Sequence, residues 1–239
     1  MTDKDAVQGD AAAAGPGQAD YLEPLGPVCE GDWRADEALD MGACCYRKAM
    51  AFEDAADREK RLRYFRAAEH YYRISAAAGH PQAAANLGYV YSYDRCEGRY
   101  EDTACADEQG RLRRALEYCL DAADAGSPES WCKAGDLVVK TDPSEAGAER
   151  ALGMWRKAFE LSRDTPYPVV WGSAAIRIAG AYERGRGTSR DLERALSWYR
   201  IAEAGLDAAV REGEEWYRRQ LGRAQDGVAR VQQELSGEY

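Results

Sequence analysis

Two amphipathic helices joined by a glycine loop are encoded by residues 174–205, AAIRIAGAYERGRGTSRDLERALSWYRIAEAG. One face of each half carries apolar residues at helical spacing, at Ala174, Ile178, Ala181 and Tyr182, and at Ala195, Trp198, Tyr199 and Ala202. Gly185 and Gly187 lie between the halves, where the chain can reverse through positive φ. Residues 188–191 (TSRD) offer a hydroxyl cap and then a carboxylate in the first turn of the second helix. Such a hairpin cannot bury its apolar face alone, so the stretch predicts similar hairpins beside it.

The same register recurs along the chain. The alanine that opens the second helix is repeated at Ala68, Ala115, Ala151 and Ala195, at intervals of 47, 36 and 44 residues. A large pair follows it at Tyr71-Tyr72, Tyr118-Cys119, Met154-Trp155 and Trp198-Tyr199. The first helix carries the pairs Met41-Gly42, Leu87-Gly88, Ala134-Gly135 and Ile178-Ala179. We therefore predict four helix-turn-helix repeats whose second helices end at Gly79, Gly126, Ser162 and Gly205.

This pattern resembles the Sel-one-like repeat (SLR, or Sel1-like repeat), a relative of the tetratricopeptide repeat, with the motif A-x-x-x-L-G-x-x-Y-x-x-G-x-G-x-x-x-D-x-x-K-A-x-x-W-Y-x-K-A-A-x-x-G. Residues 174–205 match the motif nearly throughout, with Arg194 in place of the usual lysine, and the other copies within residues 36–205 are degenerate. The resemblance implies an all-α fold, a right-handed α/α solenoid of about four degenerate helix-turn-helix repeats with a C-terminal capping helix. It implies protein binding and no catalytic residue, because the motif residues are packing residues.

Three segments are predicted: an acidic, partly disordered N-terminal arm at residues 1–32, the repeat solenoid at 33–220, and a C-terminal capping helix at 221–239. Residues 163–172 are expected to be an insertion, and residues 207–220 a separate helix that follows Gly205. The apolar segment YLEPLGPV, residues 21–28, leaves two interpretations open. It packs on the first helix and caps the solenoid, or it lies in the solenoid's own groove.

Charge is concentrated at the beginning of the chain. Residues 1–40 hold ten acidic and two basic residues, which accounts for −8 of the net charge of −10. The repeats are therefore nearly neutral, which argues against nucleic acid as a partner, since nucleic-acid binding requires a basic surface. The sequence contains no run of 18 apolar residues, so it predicts no membrane span. Residues 1–20 lack the basic start and the apolar run of a signal peptide. We expect a cytoplasmic protein.

The sequence contains few residues at spacings typical of catalytic or metal-binding sites. The two histidines, His70 and His80, have no cysteine or carboxylate at a recognised catalytic or metal-binding spacing. Seven cysteines without a C-x-x-C pair do not form a disulfide framework, although Cys96 and Cys105 lie in one predicted loop and their pairing is an open hypothesis. We expect no cofactor, no metal and no catalytic residue.

The candidate binding residues are those between the motif positions of the first helices, which line the concave face of such solenoids. They are Asn86, Tyr89, Tyr93, Trp131, Lys133, Asp136 and Arg177. Aromatic rings beside an amide and cations suit an extended peptide or a helix of a partner protein, although Tyr89 and Trp131 are also suited to packing between repeats. The function predicted is a non-catalytic scaffold or adaptor. The alternative is a hydrolase with a carboxylate or cysteine active site, and the oligomeric state is open.

Overall fold

A computed structural model describes residues 34–105 and 107–237, and every long element in those ranges is an α-helix. The helices are α1 Ala35–Ala51, α2 Arg58–Ala77, α3 Pro81–Ser92, α4 Glu108–Asp124, α5 Pro128–Thr141, α6 Glu145–Ser162, α7 Pro168–Arg184, α8 Leu192–Arg211 and α9 Arg218–Ser236. The predicted all-α fold is confirmed. The predictions for the acidic arm, residues 1–32, lie outside the described residues.

The chain divides into two compact units, Met1–Ala125 and Gly126–Tyr239. In the first unit, α1 packs against α2 and α3 packs against α4, and the pairs meet where α2 contacts α3. In the second unit, α5 packs on α6 and α7 on α8, α6 contacts α7, and α9 packs on α8. Each helix pair is one predicted repeat.

Local sequence signals set most helix ends. Proline occupies the first turn of α3, α5 and α7, where its missing N–H has no helical partner to lose. The side chains of Ser127 and Ser144 accept hydrogen bonds from the backbone N–H groups of Ser130 and Gly147, which caps α5 and α6. Gly185 ends α7 with φ of +64°. These ends follow from the residues at the turns, and the reversal at Gly185 was predicted.

Three local predictions in the fourth repeat are wrong. Helix α8 does not end at Gly205 but continues to Arg211, so residues 207–211 belong to α8, and α9 begins at Arg218. Helix α7 begins at Pro168, so the second half of the expected insertion at 163–172 is helical. The cap of α8 is the carboxylate of Asp191, which accepts a hydrogen bond from the Arg194 N–H at 2.9 Å.

The role of Gly205 explains the first of these errors. A Cβ atom at Gly205 would overlap the indole ring of Trp171 on α7, with the ring's Cε3 atom only 2.7 Å away. Glycine is therefore required at this position for helix packing rather than for a turn. A glycine pattern alone does not distinguish these two uses.

A glycine on the first helix faces a side chain of the second helix in each of the first three repeats, and in the first and third that side chain is a large ring. A Cβ at Gly42 would lie 2.5 Å from the Tyr72 ring, and one at Gly135 would lie 2.5 Å from the indole nitrogen of Trp155. Gly88 faces the Cys119 sulfur in the same way. The residues in these contacts are the positions that define the repeat register. The contacts fix how closely the two helices of a repeat approach.

We predict that Gly135→Ala destabilises the second unit by about 1–3 kcal/mol, because the added methyl group would force the partly buried Trp155 ring to move. Gly153→Ala is the matched control. Gly153 lies inside α6 with no atom within 4 Å of a Cβ, so alanine should stabilise this helix by about 0.5–1 kcal/mol. Urea unfolding followed by circular dichroism measures both changes. Equal effects of the two substitutions would contradict the packing role.

Trp198 is a second packing residue in this unit. Its ring packs edge-on against Phe159, with centroids 4.9 Å apart at an interplanar angle of 83°, and it contacts both apolar clusters around α8. We expect Trp198→Ala to lower the free energy of unfolding by roughly 3–5 kcal/mol. The same unfolding assay tests this value, and a loss below 1 kcal/mol would show that the ring is dispensable for packing.

Candidate functional site

In the first unit, Asn86 and Tyr89 lie along one partly exposed side of α3, and Tyr93 is the C-cap residue that follows the helix. Asn86, Tyr89 and Tyr93 follow each other at intervals of three and four residues, and each is partly exposed. The Tyr89 and Tyr93 rings are parallel within 4°, with centroids 6.2 Å apart, and the Arg95 guanidinium lies 5.4 Å from the Tyr93 ring centroid. The Gln82 side-chain amide donates a hydrogen bond to the Asn86 Oδ1 atom at 3.2 Å. The structure therefore brings these residues into one aromatic and amide surface.

In the second unit, Asp136 and Arg177 form an ion pair between the first helices of two repeats. The Arg177 Nε and Nη2 atoms donate to the two carboxylate oxygens of Asp136 at 2.5 and 2.6 Å, and Arg177 Nη1 donates to the Ser173 carbonyl oxygen. Lys133 lies one turn before Asp136 on the same side of α5. Both members of the pair are about a quarter exposed, so a partner can still contact them.

Trp131 does not share that surface. It lies roughly 160° around α5 from Lys133 at 100° per residue, and its ring packs beside the Cys132 and Ala158 cluster. The Lys157 ammonium of α6 lies 3.8 Å from the Trp131 ring centroid. The contacts of Trp131 are thus those of packing between helices, which was the second interpretation for this residue.

A charged loop, residues 94–105, is held on the first unit by ion pairs and a hydrogen-bond contact. Glu97 pairs with Arg58, Arg99 with Glu59 at 3.3 Å, Glu101 with Arg73 at 3.2 Å, and Asp102 with Arg114 at 2.6 Å. Glu101 Oε1 also lies 2.8 Å from His70 Nδ1. All of these partners lie on α2 or α4. The loop around Cys96 and Cys105 was predicted, but its attachment by charge was not.

The loop is also tied to a buried carboxylate. Glu69 of α2 is 0% exposed, and it accepts a hydrogen bond from the Tyr91 hydroxyl at 2.8 Å and from the Glu101 backbone N–H at 3.3 Å. Burial raises the pKa of Glu69, and the hydrogen bond from Tyr91 offsets part of that shift. An acid within the apolar series Leu62, Phe65 and Tyr72 was a signal of this site that the sequence analysis missed.

A cavity of about 610 Å³ adjoins this loop in the first unit. Its polar lining consists of His70, Arg73, His80, Glu101, Tyr118 and Asp121. Its remaining lining is mainly small and apolar, with Ile74, Ala77 and Ala84 among it. His80 caps α3, since its Nδ1 atom accepts a hydrogen bond from the Gln82 N–H at 3.2 Å. The cavity has a size and lining that can hold a small molecule or a side chain.

The described cysteines are thiols, and five of the six are buried. Cys96 and Cys105 are both free, so the hypothesis that they pair does not hold in this structure. The Cys96 sulfur lies 3.8 Å from a Glu69 carboxylate oxygen, and burial raises the pKa of both thiols, that of Cys105 to about 11. These thiols are protonated at neutral pH and have low reactivity.

Within residues 34–105 and 107–237, no three metal-ligating side chains cluster in a way that would hold an ion. Among the helices of those ranges, none is long and apolar enough to cross a membrane.

Comparison of the backbone with solved structures identifies the architecture. The chain is similar to the Sel1 repeat protein from Oxalobacter formigenes, with a TM-score of 0.51 and 18% sequence identity over 72% of this chain and 59% of that protein. This chain has the Sel1-like repeat fold. It spans about three-fifths of the length of the O. formigenes protein.

A second structure with an SLR fold is a protective antigen present in uropathogenic Escherichia coli strains. It matches with a TM-score of 0.36 and 15% identity over 86% of this chain and 46% of the antigen. No protein-family profile matches the chain, and no curated protein does. The Sel1-like repeat fold therefore rests on structure and on the repeat pattern.

We predict that Glu69→Gln changes how stability depends on pH. The pKa of Glu69 is 4.5 in the unfolded chain and is raised in the folded state. At pH values between these two pKa values, the folded state binds more protons than the unfolded state. Protonation of this carboxyl group therefore adds to the stability of the folded state as the pH falls from 7 toward 4.5. Urea unfolding at several pH values should show wild type gaining stability relative to the variant. Exposed Glu117→Gln is the control, and identical pH profiles for wild type and E69Q would contradict the assignment.

Proposed function

We propose that this protein is a non-catalytic scaffold or adaptor that binds a partner protein or peptide through the exposed side of its first helices. The proposal is supported by one observation: these helices carry partly exposed aromatic, amide and charged residues at positions three or four apart. In the first unit these are Asn86, Tyr89 and Tyr93, and in the second Lys133, Asp136 and Arg177. Solenoid proteins commonly bind partners on such an extended face.

The surfaces of the two units differ in chemistry. The stacked Tyr89 and Tyr93 rings offer flat apolar area beside the Asn86 amide, which suits the backbone and apolar side chains of a peptide. In the second unit the Asp136–Arg177 ion pair holds a guanidinium and a carboxylate in fixed positions, which favours polar side chains. The expected partner is therefore a protein segment rather than nucleic acid. The free thiols of the described residues support a reducing compartment, and we propose the cytoplasm.

Affinity capture from the native cell's lysate, followed by titration of the captured protein, tests the proposal. The full chain is compared with Tyr89→Ala/Tyr93→Ala in the first unit and Lys133→Glu in the second. Arg113→Glu, an exposed change on the second helix α4, is the matched control. We expect the face variants to weaken binding at least about tenfold, or ~1.4 kcal/mol, and the control to bind normally. Equal binding by all variants would contradict this face.

The arm is tested in the same capture experiment with a chain that lacks residues 1–32. Capture of one partner by both forms would place binding on the repeats. Capture by the truncated form alone would mean that the arm screens the binding face.

A hydrolase is the second candidate, because the cavity of the first unit contains a histidine paired with a carboxylate. His70 Nδ1 lies 2.8 Å from Glu101 Oε1, which is the arrangement of a base and the group that orients it. The described residues that line this cavity include no serine, threonine or cysteine, so the attacking group would be water. A panel of ester, amide and phosphate substrates tests this function. Activity lost in His70→Gln would establish it.

A further inference from the structure

The first repeat exposes a surface of α1 that faces away from α3. Tyr46 lies on the side of α1 toward α3. Its ring packs on Phe65 with centroids 5.2 Å apart, and its hydroxyl interacts with Arg95, which follows α3 in the chain. Met41 and Cys44 lie roughly 140° and 160° around α1 from Tyr46. Both are partly exposed.

In later repeats, the equivalent positions are fully buried. Leu87 and Val90 of α3 are 0% exposed where α3 packs against α2 of the preceding repeat. Ile178 and Ala181 of α7 are 0% and 2% exposed where α7 packs against α6. Met41 and Cys44 therefore belong to the inner packing surface of a repeat, and among the described residues no earlier repeat covers them.

The segment that precedes α1 has the right chemistry and reach to cover this surface. Residues 21–33, YLEPLGPVCEGDW, contain five large apolar residues, at Tyr21, Leu22, Leu25, Val28 and Trp33. Trp33 precedes Arg34, the N-cap of α1, and Cys44 lies only about 15 Å along the helix from that point. Thirteen residues span up to roughly 40 Å when extended, so the segment can cross Met41 and Cys44.

Charge does not choose between this location and the binding face. The α1 side that continues the binding face carries both signs, at Asp40 and Arg47, and Glu37 and Lys48 flank Met41 and Cys44. The segment has five large apolar side chains, so the burial of apolar area is what favours the uncovered surface with Met41 and Cys44.

We propose that residues 21–33 pack across Met41 and Cys44 and form the N-terminal cap of the first unit. This inference is independent of the proposed binding function, since it rests on Met41 and Cys44, which are not among the predicted binding residues. The cap replaces the earlier repeat that would otherwise bury these positions.

The natural thiol of Cys44 reports on the cap. In the full chain we compare the rate of Cys44 alkylation by N-ethylmaleimide, read by peptide mass spectrometry, between Leu25→Asp and the matched control Ala12→Asp. Both substitutions add one charge to the arm, but only Leu25 lies in the apolar segment. We expect Leu25→Asp to raise the Cys44 rate roughly tenfold or more, because a carboxylate cannot pack on an apolar surface. Buried Cys45 and Cys119 must stay slow in both variants, which shows that the repeats remain folded.

Two results would overturn the proposal. Equal Cys44 rates in Leu25→Asp and Ala12→Asp would show that the segment does not cover this surface. In a Cys44→Ser background, the thiol introduced by Asn86→Cys reports on the binding face instead. Faster alkylation of that thiol in Leu25→Asp, with no change at Cys44 in the parent chain, would place the segment on the binding face.

Discussion

The close approach of the two helices within a repeat depends on a small residue that faces a large side chain. Gly42 faces Tyr72 and Gly135 faces Trp155, at distances where even one methyl group would overlap the ring. Ala179 takes the small position in the fourth repeat, and there the Tyr199 ring lies against Gly227 of α9 instead. The rings fill the space that glycine leaves, so both helices are fixed in rotation and depth. The register of the remaining apolar residues follows from this contact.

Because that contact fixes the helix pairs, the positions between the packing residues are not needed for packing and can contact a partner. On the first helices these positions are the partly exposed side with Asn86, Tyr89 and Tyr93 in one unit and Asp136 and Arg177 in the other. Rigid helices hold the side chains at constant spacing, which is what recognition of an extended segment requires. The charged loop and the buried Glu69 lie elsewhere, on α2 and α4, and serve the integrity of the first unit.

Periodicity in the sequence was sufficient to predict the helix pairs, because apolar spacing and stop signals such as Gly79-His80-Pro81 are local. Gly205 and Trp171 were misassigned because their contact joins α8 to α7, and glycine looks the same in a turn and in a tight packing site. The side of α3 with Tyr89 and Tyr93 followed from helical spacing, whereas Trp131 did not, since its large ring turns toward α6. The charged loop is held by ion pairs between residues that are far apart in the sequence, and such pairs produce no periodic pattern from which they could be predicted.

The buried carboxylate of Glu69 has a consequence for how this protein can vary. Its Oε1 and Oε2 atoms are satisfied by Tyr91 and by the backbone of the 94–105 loop, which belong to the second repeat, whereas Glu69 belongs to the first. Shortening the loop would remove donors from this buried acid, and an apolar residue at position 69 would leave the Tyr91 hydroxyl and the Glu101 amide without this acceptor. Each buried polar group left unpaired costs about 1–3 kcal/mol. The residue at position 69 in one repeat is therefore energetically coupled to the length of the loop in the next.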